Sequence, residues 1–347
     1  TAIALTVTEN TSNGIGADAF AIVSVGGQKF GLSSSGKSPE ALSFETFSES
    51  GKVPRFGFKP ITVPGAVKLW KTLHDRFGRL PFDTLFDPAI ELAHQGFMVA
   101  PTVKKGMQRA RDIYQKVLTD DIHQPFLNTF FNQDLDGRYT LKDHAKTLAM
   151  IAEDPNGFYA GELMQTMVDY FKSNGGYLRE DDFRAHAAIW QTPLSIQAFG
   201  GTLYELPPNG QGIVALKALD IYQRTTASLH REIESLKRAF VAGKKVMHGM
   251  MQDAEIQQYL DPAHSQKEAD LIRETAEDFF DPFNEDHGTV YLATADPEIQ
   301  VSLIQSNYMG YGAGIVVPGT GIALQNRGAN FLLKKHPNQY APGKKPY

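Results

Sequence analysis

The stretch Asp286-His287-Gly288-Thr289-Val290-Tyr291 is the most informative part of the sequence. A threonine that follows a glycine and opens a strand is by itself ordinary, because threonine favours strands and glycine often bounds them. Cleavage of the Gly288–Thr289 peptide bond would change the chemistry of this threonine. Thr289 would then carry a free α-amine, whose ordinary pKa of about 7.7–8.0 lets it take the hydroxyl proton near neutral pH. One residue would supply both the nucleophile and the base, and the missing side chain of Gly288 would ease the backbone distortion at the cut.

The residues after this stretch predict an antiparallel hairpin. Residues 290–295 and 301–306 have the composition of strands, and Asp296-Pro297-Glu298 separates them as a turn. Three glycines, at positions 310, 312 and 314, precede another short strand at 315–317. They form either a cradle for an anion or a tight bend between strands, and the bend is the simpler interpretation.

Most of the preceding chain has helical periodicity. A helix is predicted from Pro64-Gly65 to Gly78, and another begins at Asp87-Pro88 and ends at Gly96. Further helices are predicted near residues 142–153, 160–174, 211–224, 229–247 and 265–280. The helix predicted at 229–247 carries an apolar stripe, which is interpreted as ordinary core. The stripe consists of Ile233, Leu236, Ala239 and Phe240. Residues 1–31 predict two strands around a glycine turn, the second at 20–23.

Composition excludes several classes of protein. The chain has 347 residues, and 34 Lys and Arg against 39 Asp and Glu give a net charge of −5, which argues against a nucleic acid or an anionic membrane as partner. No apolar run reaches the ~18 residues of a membrane span. The absence of cysteine excludes disulfides and a cysteine nucleophile, and leaves a cytoplasmic, periplasmic or secreted location open. The first residues carry no signal-like segment, and we expect the chain to be incomplete at both ends.

Metal sites find little support in the sequence. The ten histidines lack the spacing of zinc ligands. Residues 132–137, together with Asp143, partly match a calcium loop, but Asn132 stands at the first position and no glutamate closes the loop. A turn held by Asn and Asp side chains explains this segment equally well. We therefore expect neither a metal nor an organic cofactor.

Several segments, in order along the chain, resemble the γ-glutamyltranspeptidase (γ-glutamyltransferase) family of N-terminal nucleophile hydrolases. Residues 9–20 (ENTSNGIGADAF) resemble its segment EPxSxGIGGxxF. The family's order and spacing recur at residues 63–67, 77–82, 88–97, 206–212 and 317–322. The resemblance implies an α+β fold, the αββα four-layer sandwich, built as one interleaved structural domain.

The resemblance also implies self-cleavage before Thr289. The precursor would divide into a large-subunit-like segment, residues 1–288, and the start of a small-subunit-like segment, residues 289–347. Thr289 would then accept an acyl group from a small-molecule amide and pass it to water or an amine. The two residues after the family's nucleophile, Thr and His, are Val290 and Tyr291 here. A threonine and an asparagine of the family's second strand fall on Gln305 and Asn307.

The positions that hold a γ-glutamyl headgroup in the family differ here. Ser35 stands where an arginine would grip the α-carboxylate, and Asn330 stands where an acidic residue would hold the α-amine. Neither side chain reproduces a bidentate, charge-assisted pair. Lys37 or Arg327 could supply the missing cation, for this carboxylate or for that of another acyl group. The family's oxyanion-hole glycines lie downstream of a segment that resembles residues 343–347.

Three hypotheses therefore remain open. The first is a γ-glutamyltranspeptidase-like amidohydrolase or acyltransferase. The second is an amide acylase of the cephalosporin or glutaryl type. The third is an uncleaved, inactive relative that acts as a binding scaffold. The partners expected are a small-molecule amide and the two subunits that cleavage would release, whereas the sequence leaves the oligomeric state open.

Overall fold

A computed structural model describes residues 1–47, 51–278 and 288–347. Asp286 and His287 of the opening stretch lie outside these ranges. The described helices are α1 Ala2–Thr8, α2 Ala66–Phe77, α3 Asp87–Gln95, α4 Pro101–Val117, α5 Gln124–Phe131, α6 Lys142–Glu153, α7 Gly157–Ala160, α8 Glu162–Ser173, α9 Glu180–Arg184, α10 Gly212–Tyr222, α11 Leu229–Val246, α12 Asp253–Tyr259 and α13 Pro262–Asp270. The described strands are β1 Asp18–Val25, β2 Gln28–Ser34, β3 Ile189–Gln191, β4 Leu194–Ala198, β5 Gly201–Glu205, β6 Val290–Ala295, β7 Ile299–Ser306, β8 Val316–Val317 and β9 Ile322–Ala323.

Five of these strands form one antiparallel sheet in the order β3-β2-β1-β7-β6. The predicted hairpin is confirmed: Val290 pairs with Gln305, and Ala295 pairs with Gln300. Strand β1 joins this late hairpin to the first hairpin of the chain, because it pairs with both β2 and β7. The remaining described strands form two small sheets, β4-β5 and β8-β9.

The main core includes residues of this sheet and of the helices around it. Helix α2 contacts β1 and β2 and buries Val67, Leu69 and Trp70. The ring of Tyr311 packs against those of Phe126, Phe130 and Phe131 and ties the chain after β7 to α5. The α+β class predicted from the resemblance is thus observed.

A second core lies between helices α10, α11 and α13 and includes Ile213, Ile221 and Ala239. The prediction that the whole apolar stripe on α11 belongs to the core is wrong in part. Ala239 is fully buried, as expected, whereas Ile233 is 47% exposed and Leu236 is 45% exposed. Only one side of the stripe therefore belongs to the core.

The predicted helices α2, α3 and α6 occur as expected, whereas other segments differ. Residues 2–8 form a helix rather than the first of two strands. The helix predicted near 265–280 ends at Asp270. Helix α4 was not predicted. None of the described helices combines the length and apolar character needed to cross a membrane.

The glycines that follow β7 make a close bend. Gly312 and Gly314 have positive φ angles of 67° and 65°. A methyl group on Gly312 would come within 2.2 Å of the carbonyl oxygen of Leu324. Glycine is needed here because the backbone is left-handed and another segment passes too close for a side chain.

Candidate active site

Thr289 lies at one end of the five-stranded sheet, immediately before edge strand β6, and Ser306 is the last residue of the adjacent β7. Thr289 Oγ1 donates a hydrogen bond to Ser306 Oγ at 3.0 Å. Ser306 Oγ in turn donates to the carbonyl oxygen of Gly288 at 3.1 Å and accepts from the backbone N–H of Tyr308 at 2.8 Å. The Ser306 hydroxyl therefore connects the threonine hydroxyl to the carbonyl of the peptide bond that precedes it.

The backbone turns sharply after Ser306. Tyr308 has a φ of 74°, which is uncommon for a residue with a side chain. This conformation accompanies the hydrogen bond from the Tyr308 N–H to Ser306 Oγ. Backbone strain of this kind often occurs at functional sites, where the surrounding structure holds it in place.

Gln305 and Asn307 are both fully buried. The Gln305 amide accepts from Trp70 Nε1 at 2.8 Å and donates to Asn13 Oδ1 at 2.5 Å, so it is engaged there rather than with the Thr289 hydroxyl. The side-chain amide of Asn307 has no hydrogen-bond partner among the described residues. The sequence pattern predicted Gln305 and Asn307 and did not identify Ser306. Successive side chains of a strand point to opposite faces, so Ser306 lies on a different face from its two neighbours.

A cavity of about 690 Å³ adjoins Thr289. Leu236 and Phe240 line it from α11, and Phe20, Ile304 and Tyr308 line it from the sheet side. The apolar stripe of α11 thus contributes to a cavity wall as well as to the core. A cavity of this size beside the Thr289 hydroxyl is suited to a small molecule.

Arg327 provides a cation at this cavity. Its Nε donates to Asp18 Oδ2 at 2.6 Å, and Asp18 is fully buried at the start of β1. Burial raises the pKa of Asp18, and the charge of Arg327 opposes that rise. The carboxylate also accepts from Ser35 Oγ at 3.1 Å. Arg327 is therefore held at the cavity wall through its Nε.

The structure brings together only some of the predicted headgroup residues. Ser35 is fully buried beside Asp18 and accepts from Asn209 Nδ2 at 2.8 Å. Lys37 is exposed and is not among the residues that line the cavity. Asn330 Nδ2 donates to the backbone carbonyl of Tyr347.

Lys345 is a nearby cation that the sequence did not single out. Burial lowers its pKa, and the negative charge of Asp18 opposes that change. Among the residues that the structure describes, no cluster of three or more His, Asp or Glu side chains is suited to a metal ion.

Residues 31–38 (GLSSSGKS) match the spacing Gly-x-x-x-x-Gly-Lys-Ser of a phosphate-binding loop. That motif requires a loop between a strand and the N-terminus of a helix. Here β2 continues through Ser34, and no helix follows at Lys37. The match in spacing therefore does not correspond to a phosphate site.

Comparison with known proteins agrees with this arrangement. The model of the gamma-glutamyltranspeptidase family matches residues 1–347. The chain belongs to the gamma-glutamyltranspeptidase family. It is 29% identical to the glutathione hydrolase-like YwrD proenzyme of Bacillus subtilis over 90% of this chain and 62% of that protein. It is 30% identical to the oxamate amidohydrolase proenzyme of Klebsiella pneumoniae, over 100% of this chain and 69% of that protein.

Two solved structures share the fold. A cephalosporin acylase from Bacillus halodurans is 40% identical and superposes with a TM-score of 0.92, covering 100% of this chain and 67% of that one. The gamma-glutamyltranspeptidase from Pseudomonas nitroreducens, complexed with L-DON, is 26% identical with a TM-score of 0.69, covering 80% of this chain and 86% of that one. The predicted N-terminal nucleophile hydrolase fold is thereby confirmed. The chain spans about 62% of the length of its Bacillus subtilis relative.

Proposed function

We propose that this protein is a γ-glutamyltranspeptidase-like amidohydrolase or acyltransferase that cleaves itself before Thr289. The observation that supports this most directly is the position of Ser306 between the Thr289 hydroxyl and the Gly288 carbonyl. The nucleophile, a proton acceptor and the carbonyl to be attacked are adjacent in the uncleaved chain. The cavity beside Thr289 then offers space for a substrate once the bond is broken.

Self-cleavage would begin with attack of Thr289 Oγ1 on the carbonyl carbon of Gly288. The hydroxyl proton passes toward Ser306 Oγ, which already accepts its hydrogen bond. The Ser306 proton, directed at the Gly288 carbonyl oxygen, stabilises the negative charge that develops there. Ser306 then returns the proton to the Thr289 nitrogen as the C–N bond breaks, which moves the acyl group from nitrogen to oxygen and leaves an ester and a free amine. Water then releases the Gly288 carboxylate.

In the cleaved protein, the free α-amine of Thr289 acts as the base for its own hydroxyl. The hydroxyl attacks a substrate amide, the amine leaves, and an acyl-enzyme remains until water or another amine accepts the acyl group. No step requires a metal or an organic cofactor. Residues 1–288 and 289–347 then belong to separate large and small subunits.

The acyl group has two candidate classes. A γ-glutamyl group would need a grip on both its α-carboxylate and its α-amine. Ser35 is instead engaged with Asp18 and Asn209, and Asn330 with Tyr347. These contacts favour the second candidate, a cephalosporin- or glutaryl-type acylase, in which Arg327 would bind an acyl carboxylate that has no neighbouring amine. Parallel assays of a glutaryl amide and a γ-glutamyl amide discriminate the two, and efficient turnover of the γ-glutamyl amide would contradict the argument from Ser35.

The experiment that tests the nucleophile is Thr289→Ala. We expect this variant to remain one chain and to lack amidase activity, because it has no hydroxyl to attack either carbonyl. Intact-mass measurement and N-terminal sequencing of the wild type should show a fragment that begins at Thr289. Two fragments from Thr289→Ala would refute the cut site, and an unsplit wild type would favour the scaffold hypothesis.

A further inference from the structure

A second cavity, of about 240 Å³, adjoins the proposed cleavage site. Gly288 lines this cavity, whereas Thr289 lines the larger one. Thr11, Ser12 and Arg55 also line it. The bond between Gly288 and Thr289 therefore lies between two cavities, and the smaller one is on the side of the residue that supplies the carbonyl.

Ser12 is the side chain closest to Gly288 in this second cavity. A methyl group placed on Gly288 would come within 2.7 Å of Ser12 Oγ, so the hydroxyl occupies the space beside the Gly288 Cα. The Ser12 carbonyl accepts from the Asn307 N–H at 3.0 Å, which ties it to the segment that carries Ser306. Its hydroxyl donates to Glu9 Oε1 at 3.3 Å, and its lone pairs can accept from another donor.

Glu9 is the acidic group behind Ser12. Its Oε1 accepts from both Thr11 and Ser12, while its buried Oε2 has no hydrogen-bond partner among the described residues. Burial raises the pKa of Glu9, and these hydrogen bonds only partly oppose the rise. A carboxylate in such a site takes up a proton more readily than an exposed one.

The second half of self-cleavage needs such a group, because the ester between Gly288 and Thr289 Oγ1 must be hydrolysed. We propose that the second cavity admits the hydrolytic water and that Ser12 relays one of its protons to Glu9. This inference rests on the proposed function and adds a site to it. In this role Glu9 and Ser12 serve maturation, whereas the larger cavity serves turnover.

The atoms of this step balance. The water oxygen bonds to the Gly288 carbonyl carbon, one water proton passes to Ser12 Oγ, and the Ser12 proton passes to the Glu9 carboxylate. The ester C–O bond then breaks, and Thr289 Oγ1 leaves with the electron pair and takes a proton from the Thr289 ammonium group. Glu9 returns its proton to that amine and the Gly288 acid ionises, so one proton in total reaches solvent.

The test uses the precursor with Glu9→Gln or with Ser12→Ala. We expect either change to lengthen the half-time of cleavage about a hundredfold, the usual effect of removing a general base. We also expect the ester to accumulate as a species of unchanged mass. Hydroxylamine should split it into two fragments, the first ending in a hydroxamate at Gly288. Thr8→Val, which removes a hydroxyl bonded to Ala4 O in the same helix, is the matched control and should split like the wild type.

Two results would overturn the inference. One is cleavage of both Glu9→Gln and Ser12→Ala at the wild-type rate. The other is a folded, uncleaved variant that hydroxylamine does not split, because the block would then precede the ester. Failure of the proposed function is distinguishable, since it requires an unsplit wild type or a split Thr289→Ala.

Discussion

Ser306 uses its full hydrogen-bonding capacity at the proposed cleavage site. A hydroxyl has one proton to donate and two lone pairs to accept. Its proton is directed at the Gly288 carbonyl, and it accepts from Thr289 Oγ1 and from the Tyr308 N–H. The hydroxyl has little freedom to rotate away. In the proposed self-cleavage, Ser306 would therefore already be in place before the attack, and such positioning lowers an activation barrier.

Gly288 is held as closely on its other side. A methyl group on its Cα would lie 2.7 Å from Ser12 Oγ and 2.9 Å from Ser12 Cβ. We expect Gly288→Ala to slow self-cleavage at least about tenfold, because relief of this clash moves the carbonyl away from Ser306. Intact mass followed over time measures the rate.

A double-mutant cycle tests whether the clash with Ser12 causes the slower cleavage of Gly288→Ala. In a Ser12→Gly background the two closest atoms, Oγ and Cβ, are gone and only the backbone Cα remains, at 3.1 Å, so adding Gly288→Ala should slow formation of the hydroxylamine-sensitive ester less than about twofold. Gly137→Ala is the matched control, because a methyl group there would meet only Asp134 Oδ2 at an ordinary 3.7 Å. An equal effect of Gly288→Ala in both backgrounds would rule out the contact with Ser12.

The residues of the site could be predicted only in part. The Gly-Thr pair at 288–289 and the family motifs indicate a nucleophile, and the structure places Thr289 at a cavity. The partners on β7 illustrate the limit. Matching residue types along the strand led to Gln305 and Asn307, whereas the side chain that contacts Thr289 belongs to Ser306. A shift of one residue moves a side chain to the other face of a strand, and the sequence alone does not determine that register.

At the level of elements, the site depends on pairing between distant strands. Asp18 of β1 lies directly opposite Ser306 of β7, and Ala19 lies opposite Ser34 of β2. These strand ends therefore bring the residues near Thr289 and those near Arg327 together at one end of the sheet. The local pattern predicted the hairpin of β6 and β7. It could not show that β1 lies beside β7, because composition and turns carry no information about long-range partners.

Helix α2 is linked to β7 by a buried hydrogen bond. Trp70 Nε1 donates to Gln305 Oε1, and both side chains are buried. We expect Trp70→Phe to reduce the free energy of unfolding by about 1–3 kcal/mol, because the Gln305 oxygen loses its donor and the smaller ring leaves space. Urea denaturation at neutral pH measures this difference.

Trp190→Phe is the matched control, because Trp190 is only half-buried at the margin of the main core, where its ring contacts Phe77 and Arg76. It should change the free energy of unfolding by less than about 1 kcal/mol, because the smaller ring leaves less space at a half-buried position. Equal effects of the two substitutions would mean that the hydrogen bond to Gln305 contributes nothing specific.

At the level of the whole molecule, sequence periodicity predicted where helices occur better than it predicted what those helices contact. The pattern of α11 indicated an amphipathic helix, and the helix is present. It did not show that Leu236 and Phe240 would line a cavity, where Phe240 also packs against the second core. Periodicity reports which side of a helix is apolar, whereas the packing of other elements decides what that side contacts.

Two buried histidines connect the stability of the molecule to pH. His144 Nε2 lies 3.0 Å from Thr6 Oγ1, and His186 Nε2 lies 3.1 Å from Ser34 Oγ. Burial lowers the pKa of His144 to about 4 and that of His186 to about 3, and the positive charges of Lys345 and Lys68 contribute for His186. In the unfolded chain both have the ordinary pKa of about 6.5. Between pH 6.5 and pH 4 the unfolded state therefore binds more protons than the folded state.

The free energy of unfolding should consequently fall as the pH decreases from 7 to 5, by about 2 kcal/mol for each histidine. The raised pKa values of Glu9 and Asp18 act in the opposite direction. Urea denaturation at the two pH values measures the loss, and His144→Asn should reduce it by about half, because Asn has no proton to gain in the unfolded state. His94→Gln, at an exposed position, should leave the loss unchanged. If His144→Asn and His94→Gln lose the same stability between pH 7 and pH 5, then the buried imidazole of His144 is not a source of the acid sensitivity.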